Sequence, residues 1–107
     1  MKVQAALEQL VDAIQSSEIY TEFRRMSELV DQSGDMRTKI NEYSARTFAL
    51  QNSEQTEDLL DRMEAHEREY EKFRDNSLVD EYLNAELAFC RMIQEIEVRL
   101  AEAVDFE

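Results

Sequence analysis

The sequence predicts an all-α fold, and three observations carry that reading. The chain of 107 residues has no proline and one glycine, so the usual punctuation of strands and tight turns is missing. Its composition is 43% hydrophobic and 35% charged, rich in Glu, Leu, Ala, Arg and Met, which favours helix. Apolar residues recur at 3- and 4-residue spacings through most of the chain, the period of a helix laying one face against a partner. The length suits a single helical domain over residues 1–107.

The pattern divides into five helical segments. The first, about Lys2–Gln15, places Val3, Leu7, Leu10 and Ile14 on one face, and Ser16-Ser17 breaks it. A serine there can accept hydrogen bonds from the unpaired N–H groups of the next turn. The second, about Glu18–Asp31, carries Ile19, Phe23, Met26 and Val30. Gln32-Ser33-Gly34-Asp35 is the best turn signal, with Gly34 free to take positive φ and Asp35 or Ser33 available as a cap. The third, about Met36–Asn52, carries Met36, Ile40, Tyr43, Thr47 and Leu50, and Ser53 or Thr56 is placed to cap the next helix. The fourth, about Glu54–Arg74, carries Leu59, Met63, His66, Tyr70 and Phe73.

The fifth segment, residues 76–104, is the most informative. Val79, Tyr82, Phe89, Ile93, Ile96, Leu100 and Ala103 form its seam, with Glu86 at the one polar step and Leu83, Leu87 and Cys90 as a second strip beside it. Ser77 with Asp80 resembles a capping box. At ~1.5 Å per residue the helix reaches about 40 Å, long for so small a domain. The architecture expected is a long C-terminal hairpin of the fourth and fifth segments, with the shorter N-terminal helices packed on it and with self-association covering the remaining apolar surface. An internal echo relates residues 17–23 to residues 76–82, each reading cap, apolar pair, polar, Glu, aromatic. It marks either a duplicated hairpin or the generic start of an amphipathic helix written twice.

Charge narrows the partners. Net charge is −13; residues 1–53 hold eight acids and six bases, residues 54–107 hold 17 acids and six bases, for nets of −2 and −11. Nucleic acid and anionic membranes repel such a surface, because affinity for both rests on Lys and Arg meeting phosphate. The acidity serves solubility, or it lets the C-terminal half meet a basic patch on a protein partner. No apolar run approaches the ~20 residues of a membrane span, the N-terminus lacks a signal peptide's hydrophobic core, and one cysteine fits a reducing cytoplasm.

The residues offer little chemistry. His66 is the only histidine, residue 63 is Met where carboxylate di-iron bundles need Glu, and one glycine cannot build a phosphate loop. No catalytic, cofactor-binding or metal-ligating residue is expected. His66 and Glu86 sit at seam positions and are the candidate buried polar residues, Glu86 paired with a cation or with His66, or reaching water with only its stem packed. Cys90 reads as a small hydrophobe. The candidate interface is the seam Val79, Tyr82, Glu86, Phe89, Ile93, Ile96 and Leu100. The alternative is a ligand- or metal-binding sensor bundle in which His66, Glu86 and Cys90 converge on a cavity.

Several stretches carry a family resemblance. They are Leu7-x-x-Leu10-Val11-x-x-Ile14, Ser17-Glu18-x-Tyr20-x-Glu22-Phe23-Arg24, Asp35-Met36-Arg37-x-x-Ile40-x-Glu42-Tyr43, Asn76-Ser77-Leu78-Val79-x-Glu81-Tyr82-Leu83-x-Ala85-Glu86, and Ile96-x-x-x-Leu100-Ala101-Glu102-Ala103-Val104. Over roughly residues 5–104 the chain resembles the YlbF/YmcA family of small helical bacterial proteins. The resemblance implies a non-enzymatic regulator that self-associates and acts through protein partners. Characterised members belong to a complex influencing the membrane-anchored endoribonuclease Y, and hence mRNA maturation, competence, biofilm formation and sporulation. Some are associated with iron–sulfur clusters held by cysteines; here Cys90 is the only cysteine, and it lies inside a helix.

Overall fold

A computed structural model of the chain describes residues 1–53 and 57–104. These form α1 (Lys2–Gln15), α2 (Glu18–Asp31), α3 (Met36–Gln51), α4 (Leu59–Asp75) and α5 (Ser77–Ala103), and the described residues include no strand. The all-α expectation holds, and α1 and α2 have the bounds their periodicity gave.

Short polar side chains decide where the helices stop. Ser17 Oγ donates to the Ile14 carbonyl at 2.6 Å and accepts from the Tyr20 N–H at 3.1 Å. One hydroxyl thus closes the last turn of α1 and caps α2. Gly34 takes φ +66, the left-handed conformation a side chain would disfavour. Asp35 holds the N-cap position of α3 without a side-chain cap bond. Ser33 turns back to donate to the Leu29 carbonyl at 2.7 Å, and Arg37 Nε reaches Asp31 Oδ1 at 2.9 Å across the turn.

Three boundaries differ from the sequence reading. Ser53 closes α3, donating to the Leu50 carbonyl at 2.8 Å, where it was expected to open α4. The stretch Glu54–Thr56, with the expected Thr56 cap, lies outside the described residues; residues 57–58 form a turn, and α4 begins at Leu59. At α5 the cap is Asn76 and not Ser77. Its Oδ1 accepts from the N–H groups of Leu78 at 2.9 Å and Val79 at 3.4 Å. The expected capping box was therefore one residue out of register, since Asn76 reaches the second and third helical N–H groups and Ser77 is already helical.

Backbone contacts divide the chain into two compact units, one formed by Met1–Ser27 with the chain from Tyr82 onward, the other by Glu28–Glu81. In the first, Phe23 stacks on Phe89 with centroids 5.1 Å apart and tilts against Tyr82, while Tyr20 meets Phe89. Residue numbers rise along α2 as they fall along α5, so the two run antiparallel. Met26, Tyr82 and Ala85 are its buried core, and Leu10 and Ile14 of α1 are half-buried. In the second unit α3 packs antiparallel on α4, with Thr47 opposite His66 and Tyr43 opposite Tyr70 and Phe73. Val30, Ile40 and Val79 are buried there.

Within the second unit α4 thus packs on α3, and within the first the Tyr82–Phe89 stretch of α5 packs on α2. Only Asn76 separates α4 from α5. The internal echo also takes a definite form. Its first positions, Ser17 and Asn76, are both N-caps, and its last, Phe23 and Tyr82, lie with ring centroids 6.1 Å apart.

Candidate functional site

The seam of α5 changes character along its length. Val79 and Tyr82 are buried, Phe89, Ile93 and Ile96 are half-buried, and Leu100 is 56% exposed. Beside it, Leu83 is half-buried, while Leu87 and Cys90 are exposed. Cys90 therefore does not act as a packed hydrophobe within the chain. On α1, Val3, Leu7 and Val11 stand at four-residue spacing and are all exposed, as are Val98 and Val104 near the end of the chain. Successive turns of α1 thus present apolar side chains to solvent.

Neither candidate buried polar residue is buried. Glu86 is half-buried and its Oε2 accepts from the Tyr82 hydroxyl at 3.0 Å. That partner is a neutral group one turn earlier on the same helix, where a cation or His66 was expected. A local i,i+4 bond of this kind sets no register between helices, and a half-exposed carboxylate keeps part of its hydration, so no charged partner is needed.

His66 is also half-buried, held between α3 and α4. Its Nε2 lies 2.9 Å from Thr47 Oγ1, and that hydroxyl donates to the Tyr43 carbonyl at 2.8 Å. Since the threonine proton is committed to the carbonyl, the imidazole donates from Nε2 and the hydroxyl oxygen accepts. The ring stacks against Tyr43 at 5.5 Å and 14° and tilts against Tyr70 at 4.8 Å.

Around this imidazole lies a cleft that the sequence reading missed. It has a volume of about 360 Å³, with Tyr43, His66 and Tyr70 as aromatic wall and Glu67, Glu71, Asp75 and Asp80 as acidic lining beside Arg74. Arg74 Nη1 donates to the Tyr43 hydroxyl at 2.9 Å, with the guanidinium carbon 5.7 Å from that ring centroid. Arg46 lies 5.8 Å from the Tyr70 centroid and pairs with Glu69 at 2.6 Å, a hydrogen bond that raises the guanidinium's pKa. The signal was present as Tyr43 on one helix and His66, Tyr70 and Phe73 on another, but seam spacing alone reads as core. Among the described residues no three or more His, Cys, Asp and Glu side chains gather as a metal site would require, and no helix is long and apolar enough to cross a membrane.

Residues 3–105 match the family described as control of competence regulator ComK, YlbF/YmcA. The chain belongs to this family. Neither the curated proteins nor the solved structures gave a match. As a YlbF/YmcA member the chain is an all-α protein, with five helices among the described residues, from a family linked to control of a competence regulator, which is consistent with a regulatory role.

Proposed function

We propose that this chain is a non-enzymatic regulatory interaction module that works as a homodimer or higher oligomer and docks on a protein partner with a basic surface. The observation that carries the reading is the row of exposed apolar side chains Val3, Leu7 and Val11 on one face of α1, together with the exposed Leu87, Val98 and Leu100 of α5. Rows of exposed apolar side chains mark association surfaces, and a two-fold contact covers them most simply. The acidity of residues 54–107, net −11, favours a basic partner over nucleic acid. Family membership supports a partner among regulators of bacterial gene expression. On this reading the chain acts as a partner or paralogue of the proteins that influence endoribonuclease Y-dependent mRNA maturation, competence, biofilm formation or sporulation.

Light scattering at micromolar concentration should give at least twice the monomer mass. Because both copies are acidic, added salt should strengthen the association. Replacing Phe89 and Ile93 by serine should lower the mass or unfold the chain, since Phe89 packs on Phe23, whereas serine at the exposed Leu87 and Val98 should lower the mass with the fold kept. A well-folded monomer of the unmodified chain across that range would overturn the oligomer, and failure to retain any protein from a native lysate would overturn the docking role.

A further inference from the structure

We propose that the aromatic cleft between α3 and α4 receives an arginine side chain of the protein partner, the guanidinium entering among Tyr43, His66 and Tyr70 under the carboxylates of Glu67, Glu71 and Asp75. The proposal rests on the docking role above and names the chemistry at its contact point. The cleft, at about 360 Å³, lies at the small end of the ~300–1,000 Å³ of ligand sites, a size for one or two side chains. Its ring faces already meet guanidinium groups of the chain itself, with Arg74 5.7 Å from the Tyr43 centroid and Arg46 5.8 Å from that of Tyr70. Negative ring faces attract cations, and a planar guanidinium both stacks and donates to carboxylates in a way a lysine ammonium does not.

Charge complementarity is the second argument. The cleft lining holds four carboxylates against one arginine. Glu67, Glu71 and Asp75 recur every four residues on one face of α4, where like charges at i,i+4 oppose the helix by a few tenths of a kcal/mol per pair. Among the described residues none of these three carboxylates has a side-chain hydrogen bond or ion pair, whereas Glu69 on another face of the same helix is matched to Arg46. A cation from outside would relieve that repulsion. A contiguous smaller hollow shares Tyr43, His66, Glu67 and Arg74 with the cleft and continues to Leu50 and Met63. An apolar residue next to the arginine would settle there, which favours a peptide segment over a free polyamine.

The test uses the full chain and a short blocked peptide carrying two arginines and one leucine, with a citrulline version of the same shape and no charge. Titration followed by NMR should shift the ring signals of Tyr43, His66 and Tyr70. The citrulline peptide should bind at least tenfold more weakly. The triple variant Glu67→Gln, Glu71→Gln, Asp75→Asn removes only exposed charge, and circular dichroism should find it as helical as the parent. It should lose at least tenfold in affinity, and Tyr70→Leu should do so at unchanged salt dependence. Equal binding of both peptides, an unaffected triple variant, shifts scattered over the surface, or spermidine matching the peptide would each overturn the arginine cleft. If the triple variant still retains the lysate partner of the parent chain, the cleft is refuted and the docking role stands; if the parent retains none, the docking role itself fails.

Discussion

Replacing Asn76 by alanine should cost about 1 kcal/mol of stability, and replacing Ser77 by alanine should cost almost nothing. Asn76 is exposed and extended, at φ −66 and ψ 123, and is the single residue between α4 and α5. Its side chain accepts from Leu78 and Val79, two of the N–H groups that the first turn of α5 cannot satisfy internally. Losing an N-cap asparagine costs roughly 0.5–2 kcal/mol, and the longer second bond of 3.4 Å argues for the middle of that range. No packing is lost, because the side chain faces water. Ser77 is inside the helix, where alanine is the better helix former, so Ser77→Ala should stay within ~0.5 kcal/mol or stabilise slightly. Urea unfolding followed by circular dichroism gives both values, and thermal melts should move by about 4–8 °C for each kcal/mol in a domain near this size. Asn76→Asp should retain the cap. If Ser77→Ala proves the more costly change, the capping box is real and the register described above is wrong.

Met26 is fully buried, so Met26→Ala should cost about 2–5 kcal/mol by the same unfolding assay. Phe48→Ser, at a side chain 67% exposed, should stay within ~0.5 kcal/mol, and a comparable loss at both sites would contradict the assigned core. Glu86→Gln should change stability by under ~0.5 kcal/mol, since the Tyr82 hydroxyl can donate to an amide oxygen as readily; a loss of about 1–3 would mean that the carboxylate meets a buried charge. The hydrogen bond from Arg25 holds the Glu22 carboxyl below the ordinary glutamate range. A depressed folded pKa makes this contribution present above the unfolded pKa and lost as pH falls through the folded one. An NMR titration should place Glu22 below an unpaired glutamate, and Arg25→Gln should return it upward; an unchanged midpoint would remove the pair from the account.

Much of the fold was legible because helix formation is a local event written in spacing. The 3- and 4-residue recurrence of apolar residues placed α1 and α2 to the residue and α3 to within one. Gly34 announced its turn because positive φ is cheap only without a Cβ. Asn76 was harder, since Asn, Ser and Asp all suit an N-cap and one residue of slippage between neighbours leaves the pattern unchanged. The aromatic cleft was not legible. Tyr43 and His66 are distant in sequence, and their seam positions look the same whether the rings close a dry core or line an open cleft.

Composition and periodicity alone determined that this chain is helical, acidic in its second half and limited to one histidine, one cysteine and one glycine. Those properties depend on which residues are present and on neighbours a turn away. Tertiary structure decided which helix takes which partner: α4 goes to α3 and α5 to α2, because ring fits such as Phe23 on Phe89 and His66 on Tyr43 are matched across space. It also decided that Val79 is buried while Leu100, on the same seam, faces water. The apolar seam residues look alike in the sequence, and burial is conferred by whatever helix arrives to cover them.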